Sequence, residues 1–176
     1  MPEKKNIIEL TRITIQDYRK EKKFPLIVVL DNVRSLYNVG SIFRTADAFL
    51  LEKIILCGIT GTPPHPEIKK TALGAEDSVE WEYMEDSFEA VKRLKNKGWK
   101  ICVLEQVHDS LPLQDFSPSP ETGYVLVAGN EVEGVDQKIV DLADFILEIP
   151  QLGVKHSLNV SVSVGIALWQ MLKSKL

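Results

Sequence analysis

Five short apolar runs along the chain each predict a buried β-strand. They occupy residues 26–30, 53–58, 100–105, 124–128 and 145–149. Apolar residues at helical spacing lie between them, in residues 39–50, 67–73, 85–97 and 136–142. Strands that alternate with helices are typical of parallel sheets. The pattern therefore predicts one α/β domain, with a mostly parallel sheet and helices on both faces. The proline-rich residues 60–66 and 110–121 predict loops.

The C-terminal segment fits two patterns. Residues 160–164 read Val-Ser-Val-Ser-Val, and this alternation is typical of a strand. The spacing of Val160, Val164, Ala167, Leu168 and Met171 also fits one face of a helix. We favour the helix over residues 158–164. Such a helix is apolar on more than one side, because Val162 and Ile166 lie off that face, so it should pack within the domain or against a second chain.

The N-terminal residues 1–24 are predicted to be a basic, partly helical arm, and residues 25–176 the folded domain. The basic residues before residue 26 are Lys4, Lys5, Arg12, Arg19, Lys20, Lys22 and Lys23, against four acidic residues. The whole chain has a net charge of −4, which does not by itself indicate a nucleic-acid-binding protein. A basic arm on an acidic body can contact phosphate, but a solvated terminal helix explains these charges equally well.

Several classes of protein find no support in the sequence. The longest aliphatic run, residues 26–30, is far too short to span a membrane, and the N-terminus lacks the apolar block of a signal peptide. The three histidines are scattered, so no metal site is expected. Cys57 and Cys102 lie in apolar runs and are expected to be buried free thiols in a reducing compartment, which favours a cytoplasmic protein. The glycine-rich dinucleotide and phosphate-binding motifs and the nucleophile elbow are also missing.

Three polar junctions follow predicted strands, at residues 32–44, 129–134 and 149–159. The first contains Asn38 and Arg44, and the second places Glu131 between glycines. The third ends in Lys-His-Ser-Leu-Asn at residues 155–159. Each polar residue taken alone could be a helix cap. Three such junctions in one small α/β chain instead predict a composite site at one edge of the sheet.

The three junctions resemble the three motifs of the SpoU (TrmH) class of RNA 2′-O-methyltransferases, in the SPOUT superfamily. Residues 38–47 read Asn-Val-Gly-Ser-Ile-Phe-Arg-Thr-Ala-Asp, and residues 127–134 read Val-Ala-Gly-Asn-Glu-Val-Glu-Gly. Residues 149–162 read Ile-Pro-Gln-Leu-Gly-Val-Lys-His-Ser-Leu-Asn-Val-Ser-Val, and Thr-Ala-Leu-Gly-Ala at 71–75 is a smaller signature. The resemblance covers roughly residues 25–172 and implies a deep C-terminal trefoil knot.

The resemblance also implies roles for individual residues. The catalytic set would be Arg44, Asn38, Glu131, Ser157 and Asn159. S-adenosylmethionine would be held in the knot by the backbone around Leu104, Ala128, Gly129, Ile149, Gly153 and Leu158. RNA contacts would come from Arg34, Lys155 and His156. The family works as a homodimer, with the last helix at the interface.

The implied reaction is methylation of a ribose 2′-hydroxyl, with transfer RNA favoured because the chain has only a short basic arm. The alternatives are ribosomal RNA as the substrate, or a catalytically silent RNA-binding or assembly protein that keeps the knot. A third, weaker option is an unknotted, flavodoxin-like nucleotide binder. Arg44 would bind a phosphate and stabilise the developing alkoxide. It would not act as a base, because a guanidinium stays protonated in proteins.

Overall fold

The structure of the protein is a computed structural model that describes residues 2–6 and 13–176. Arg12, part of the predicted basic arm, lies outside the described residues. The strands are β1 (Phe24–Asp31), β2 (Leu51–Cys57), β3 (Trp81–Met84), β4 (Lys100–Leu104), β5 (Leu111–Pro112), β6 (Tyr124–Ala128) and β7 (Phe145–Glu148). The helices are α1 (Ile15–Lys20), α2 (Leu36–Ala48), α3 (Pro66–Ala72), α4 (Ala75–Ser78), α5 (Ser87–Asn96), α6 (Gln137–Leu142) and α7 (Val160–Leu172).

The strands form one parallel sheet in the order β3-β2-β1-β6-β4-β7-β5. Strand β1 lies inside the sheet, between β2 and β6, and its residues 26–31 are all buried. Alternate residues point to opposite faces, so Val28 packs in one apolar core and Val29 in the other. Helices α2 and α7 cover the first face, and α5 and α6 cover the second. The predicted parallel α/β sheet with helices on both faces is therefore confirmed.

The sequence pattern missed the two edge strands. β3 was not predicted because Trp81–Met84 is only partly buried and carries no continuous apolar run. β5 lies within the predicted loop at 110–121, so that prediction was wrong over Leu111–Pro112. Proline is tolerated there because an edge strand leaves some N–H positions unpaired. The remaining five strands agree with prediction within two residues at each end.

The C-terminal segment is a helix, so the strand alternative for residues 160–164 was wrong. Asn159 caps α7, because its Oδ1 accepts hydrogen bonds from the N–H groups of Ser161 and Val162. One face of α7, which includes Val164 and Leu168, is buried in the domain core. The other side is exposed and apolar, as expected, and carries Val162, Ile166 and Trp169.

The segment before β1 packs partly onto the domain. Tyr18 in α1 is only 4% exposed and joins the core beside α2. Lys23 lies over the Tyr18 ring, with its Nζ 3.1 Å from the ring centroid. The division of the chain at residue 25 and the trefoil knot stay predictions. Among the described residues, none of the helices is long and apolar enough to cross a membrane.

Candidate active site

A cavity of about 560 Å³ opens where three parallel strands end. The carboxyl ends of β4, β6 and β7 form part of its wall, at the edge of the sheet where α/β proteins commonly bind ligands. The wall includes five of the six residues predicted to hold a cofactor: Leu104, Ala128, Gly129, Ile149 and Leu158. It also includes four polar residues from the predicted set: Glu131, His156, Ser157 and Asn159. The second and third junctions therefore meet at one cavity.

Glu131 ties the second junction to the first. Its Oε2 accepts a hydrogen bond from the N–H of Arg34 at 3.1 Å, and its Oε1 accepts from the N–H of Ser35 at 3.2 Å. The same Oε1 accepts from Nδ2 of Asn38 at 3.1 Å. Ser35 is the N-cap of α2, so the carboxylate lies at the positive end of that helix. Glu131 thus fixes the start of α2 against the loop that follows β6.

These donors keep Glu131 ionised. Partial burial acts to raise the pKa of its carboxyl. The N–H of Arg34, the residue's own N–H, the Asn38 amide and the N–H of Ser35 together outweigh it and lower the pKa below the usual value. A carboxylate with a lowered pKa is a weak proton acceptor near neutral pH. The geometry therefore gives Glu131 a positioning role.

Asn159 joins the third junction to the same network. Its Nδ2 donates to Oδ1 of Asn38 at 3.0 Å, while its own Oδ1 caps α7. Asn38 is 9% exposed and uses both ends of its amide, donating to Glu131 and accepting from Asn159. One buried side chain therefore connects all three junctions.

Three residues that shape the second junction were missed by sequence reasoning. Asn130 is buried, and its Nδ2 donates to the carbonyl of Asn32 at 2.9 Å. Asp31 is also buried, and its Oδ2 accepts from the N–H of Asp136 at 2.9 Å. Glu105 accepts from the N–H of Val135 at 3.1 Å. A polar residue within two positions of the end of an apolar run is the sequence signal that could have identified all three.

Gly129 is required by the close return of this loop. A Cβ on Gly129 would lie 2.3 Å from the carbonyl carbon of Gly134, because residues 130 and 134 pair as an antiparallel bridge. Gly134 has φ +73°, a left-handed conformation that favours glycine. The two glycines therefore let the backbone itself form the cavity wall.

The third junction covers the cavity as an irregular segment. Residues 151–159 contain neither helix nor strand, and residues 152–159 are exposed. Gln106, just after β4, donates from Nε2 to the carbonyl of His156 at 2.8 Å. This bond holds the segment beside the cavity. Gly153 is outside the cavity wall, so the structure does not place it with the other predicted cofactor residues.

Arg44 lies apart from the cavity. It is exposed on α2, six residues after Asn38, a separation of about 9 Å along the helix axis. It lines a different groove of about 520 Å³ together with Ser41, Thr45, Ala48, Lys70 and Thr71. Within one chain, the structure therefore separates Arg44 from Ser157 and Asn159, which line the cavity. The predicted RNA contacts Arg34 and Lys155 are exposed and also lie outside the cavity wall.

The described residues provide no cluster of metal ligands. Within residues 2–6 and 13–176, histidine, cysteine and carboxylate side chains form no group of three suited to a metal ion. Cys57 and Cys102 are confirmed as buried free thiols on the strands. The polar side chains that line the cavity are amides, carboxylates, two serine hydroxyls and a histidine.

Comparison with known proteins identifies the class to which this fold and site belong. Residues 25–169 match the model of the SpoU rRNA Methylase family, and the chain is a member of that family. The resemblance read from the three junctions is thereby confirmed.

Individual relatives act on two kinds of RNA. The chain is 31% identical to a tRNA (guanosine(18)-2′-O)-methyltransferase from Aquifex aeolicus over 170 residues, which is 93% of this chain and 76% of the relative. It is 27% identical to the 23S rRNA (guanosine-2′-O-)-methyltransferase RlmB from Pseudomonas putida over 152 residues, 86% of this chain and 60% of that relative. The chain thus spans about three quarters of one relative and three fifths of the other.

A solved structure shows the same fold. The AdoMet-bound rRNA methyltransferase from Sinorhizobium meliloti superimposes with a TM-score of 0.81 at 26% sequence identity. The match covers 90% of this chain and 60% of that chain. The α/β architecture is therefore that of a SpoU-type methyltransferase.

Proposed function

We propose that the protein transfers a methyl group from S-adenosylmethionine to a ribose 2′-hydroxyl of RNA, with transfer RNA as the favoured substrate. The observation that carries the proposal is the linkage of the three junctions through Asn38, which bonds both Glu131 and Asn159 beside one cavity. Family membership supports the same reaction. An intact network of this kind argues against a catalytically silent relative.

The cavity fits S-adenosylmethionine in its chemistry. Its wall offers apolar side chains for an adenine ring, among them Leu104, Ile149 and Leu158. Gly129 also lines the wall and has no side chain to cover its backbone. The carboxylates of Glu105 and Glu148 also line the cavity and give it a negative potential that suits a sulfonium ion. When bound, the cofactor supplies a methyl group on a positively charged sulfur.

The residues of the chain would act mainly by positioning. A methyl transfer requires the accepting oxygen, the methyl carbon and the leaving sulfur to lie in line, so alignment accounts for much of the acceleration. Ser157 and Asn159 at the cavity wall would orient the ribose, and Asn38 and Glu131 would hold Asn159 and the start of α2 in place. His156 and Lys155 beside them, and Arg34 beyond the Glu131 carboxylate, would contact RNA phosphates.

Arg44 would stabilise negative charge on the substrate. Its guanidinium stays protonated in proteins, so it is not a general base. It would bind a backbone phosphate and stabilise the oxygen as its proton leaves, with a substrate phosphate as the proton acceptor. Arg44→Ala should therefore lose methyl-transfer activity. Arg44→Lys keeps the charge but loses the planar guanidinium, so it should keep only part of the activity of the wild type.

The protein is further proposed to be a homodimer through α7. The exposed residues Val162, Ile166 and Trp169 lie at positions i, i+4 and i+7, which form one stripe on the helix. An exposed apolar stripe of this kind marks an interface. Val162→Asp should convert a dimer to a monomer in sedimentation equilibrium, and an unchanged molecular mass would contradict the dimer.

The substrate preference rests on similarity to the Aquifex transfer-RNA enzyme. Ribosomal RNA is the second candidate, because RlmB is also a relative. The proposed location is the cytoplasm, where the two buried thiols would stay reduced.

Three measurements test the proposal in sequence. Isothermal titration with S-adenosylmethionine should show binding, and a lack of binding would favour the silent alternative. Purified protein should then transfer a labelled methyl group to unmodified transfer RNA. Mass spectrometry of nucleosides from cells that lack the protein should show one missing 2′-O-methyl nucleoside in transfer RNA. Its loss from ribosomal RNA alone would overturn the choice of substrate.

A further inference from the structure

The groove between α2 and α3 contains two cations and lies outside the cofactor cavity. Arg44 comes from α2 and Lys70 from α3, and both line the same space of about 520 Å³. The other lining residues are Ser41, Thr45, Ala48 and Thr71, so the wall carries no carboxylate. Among the ion pairs of the described residues, Arg44 and Lys70 take part in none. The charge of the groove is therefore uncompensated by its own walls.

The three hydroxyl groups of the groove already donate hydrogen bonds within the protein. Ser41 Oγ and Thr71 Oγ1 both donate to the carbonyl of Tyr37 at 2.9 Å. Thr45 Oγ1 donates to the carbonyl of Ser41 at 3.0 Å. The only side-chain donors left in the groove are the guanidinium and the ammonium group. Two free cationic donors without an acidic neighbour form a site that suits an anion.

Close packing of the two helices fixes the distance between these cations. Gly40 in α2 lies against α3, and a Cβ at that position would lie 2.1 Å from Thr71 Oγ1 and 2.3 Å from the carbonyl oxygen of Ile68. The bond from Thr71 to the carbonyl of Tyr37 joins the helices at the same level. The backbone positions of Arg44 and Lys70 are thus held at a fixed separation by the packing of α3 on α2.

An aromatic ring lies beside the site. Tyr37 is 44% exposed, and Lys70 Nζ lies 6.0 Å from its ring centroid, at the outer limit of a cation–π contact. Exposed aromatic rings next to cations are typical of surfaces that bind single-stranded nucleic acid, where the ring stacks on a base and the cation meets the backbone. Tyr37 also directly precedes Asn38 in α2, the residue that accepts the hydrogen bond of Asn159 beside the cavity.

We propose that Lys70 and Arg44 together form a two-cation seat for a backbone phosphate of the RNA substrate, with Lys70 as a positioning residue for the methylated nucleotide. This inference rests on the proposed function, because it takes the anion to be RNA. The seat would hold the backbone about two helical turns from the Asn38 amide. Lys70 would thereby add binding energy and fix the register of the ribose relative to the cavity.

Lys69 provides a matched control. It is the preceding residue on α3 and is also exposed, but it does not line the groove. Lys69→Ala and Lys70→Ala remove the same charge from adjacent positions, so long-range electrostatic steering falls equally in both. Lys70→Arg keeps a cation in the groove and serves as the rescue variant.

The test measures RNA affinity across a series of salt concentrations and methyl transfer at saturating S-adenosylmethionine, with unmodified bulk transfer RNA as the probe. Lys70→Ala should raise the Kd for RNA about tenfold at low salt and flatten the plot of log Kd against log salt by roughly 0.7–0.9. KM for RNA should rise more than kcat falls. Lys69→Ala should match the wild type in slope, and Lys70→Arg should recover most of the affinity.

The outcomes separate this inference from the proposed function. If the wild type methylates RNA and Lys70→Ala equals Lys69→Ala in Kd, salt slope and KM, the seat is overturned while the function stands. If the wild type methylates no RNA but Lys70→Ala selectively loses affinity for it, the seat stands and the proposed reaction fails. If Lys70→Ala loses binding of inorganic phosphate while RNA binding stays at the Lys69→Ala level, the groove serves a free anion and the RNA assignment is overturned.

Discussion

The side-chain amide of Asn159 donates a hydrogen bond to Oδ1 of Asn38 at 3.0 Å, although the two residues are 121 positions apart in the chain. Asn38 in turn donates to Glu131, so neither amide can rotate without losing a partner. The contact therefore fixes the entry to α7 against the start of α2. This relationship allows the cap of one helix and the orientation of the site to be tested separately.

Asn159→Asp should separate these two roles. The carboxylate of aspartate can still cap α7, because it accepts from the N–H groups of Ser161 and Val162. It cannot donate to Asn38, and it places negative charge beside the Asn38 oxygen. We expect a loss of about 1 kcal/mol in the free energy of unfolding and at least roughly a tenfold fall in methyl transfer. Urea denaturation and a labelled-methyl assay measure the two effects.

Asn159→Ala is the comparison for that experiment. It loses the cap as well as the donor, so its free energy of unfolding should fall by about 1 kcal/mol more than that of Asn159→Asp. An Asn159→Asp protein that matches the wild type in both stability and activity would show that the contact with Asn38 has no role.

Glu131→Gln should destabilise the protein in a pH-dependent way. The folded pKa of Glu131 is lowered, so its contribution to stability is fully present above its unfolded pKa of about 4.3 and is lost as pH falls through the folded pKa. At pH 7 the variant should lose about 1 kcal/mol, or roughly 2–4 °C in Tm. The difference from the wild type should shrink below about pH 4. Thermal melts at neutral and acidic pH measure it.

Glu133→Gln is the control for the charge. It removes a carboxylate two residues further along the same loop, which accepts no hydrogen bond among the described residues. Its Tm should stay within about 1 °C of the wild type at each pH. A Glu131→Gln difference that is constant with pH would contradict the assignment of the stabilising charge to Glu131.

The sequence predicted the interior of the fold better than its edges. Central strands such as residues 26–30 are buried on both faces and therefore leave a continuous apolar run. Trp81–Met84 pairs on one side only, with β2, and is partly exposed, so its side chains mix apolar and charged types. The helix at Val160–Leu172 was predictable only in part, because a helix that is apolar on several sides and an alternating strand share the same valines.

The sequence identified the site residues that belong to a motif. It did not reveal which of these residues contact one another in the fold. Glu131 and Asn159 were found because each lies in a polar junction after a strand. By spacing, either Asn38 or Ser35 could cap α2. The structure shows that Ser35 does, and Asn38 instead bonds Glu131 and Asn159. Lys70 could not be singled out, because its neighbour Lys69 has the same charge and only the packing of α3 on α2 decides which lysine enters the groove.

The two cysteines should resist thiol reagents in the folded protein. Burial raises the pKa of Cys57 and of Cys102 to about 12, and both side chains are 0% exposed. At pH 8 only about one thiol in 10⁴ would be ionised, so the native protein should react far more slowly than a free thiol. After the protein is unfolded in guanidinium chloride, both thiols should react with Ellman's reagent. Rapid reaction of either thiol before unfolding would contradict the packing of β2 or β4.

Gly40→Ala should disturb the platform that carries Arg44 and Lys70. The added Cβ would lie 2.3 Å from the backbone oxygen of Ile68, so α3 must move away from α2, at a cost of about 1–3 kcal/mol in unfolding free energy. The affinity for RNA should also fall, because the movement of α3 separates Lys70 from Arg44. Gly165→Ala, made in the Val162→Asp background that removes the proposed dimer contact, is the matched control, because it makes the same change inside α7, where a Cβ has nothing within 4 Å. That variant should gain up to about 1 kcal/mol from helix propensity. Equal changes in the stability of the two variants, each relative to its parent protein in urea denaturation, would refute the close approach of α3 at Gly40.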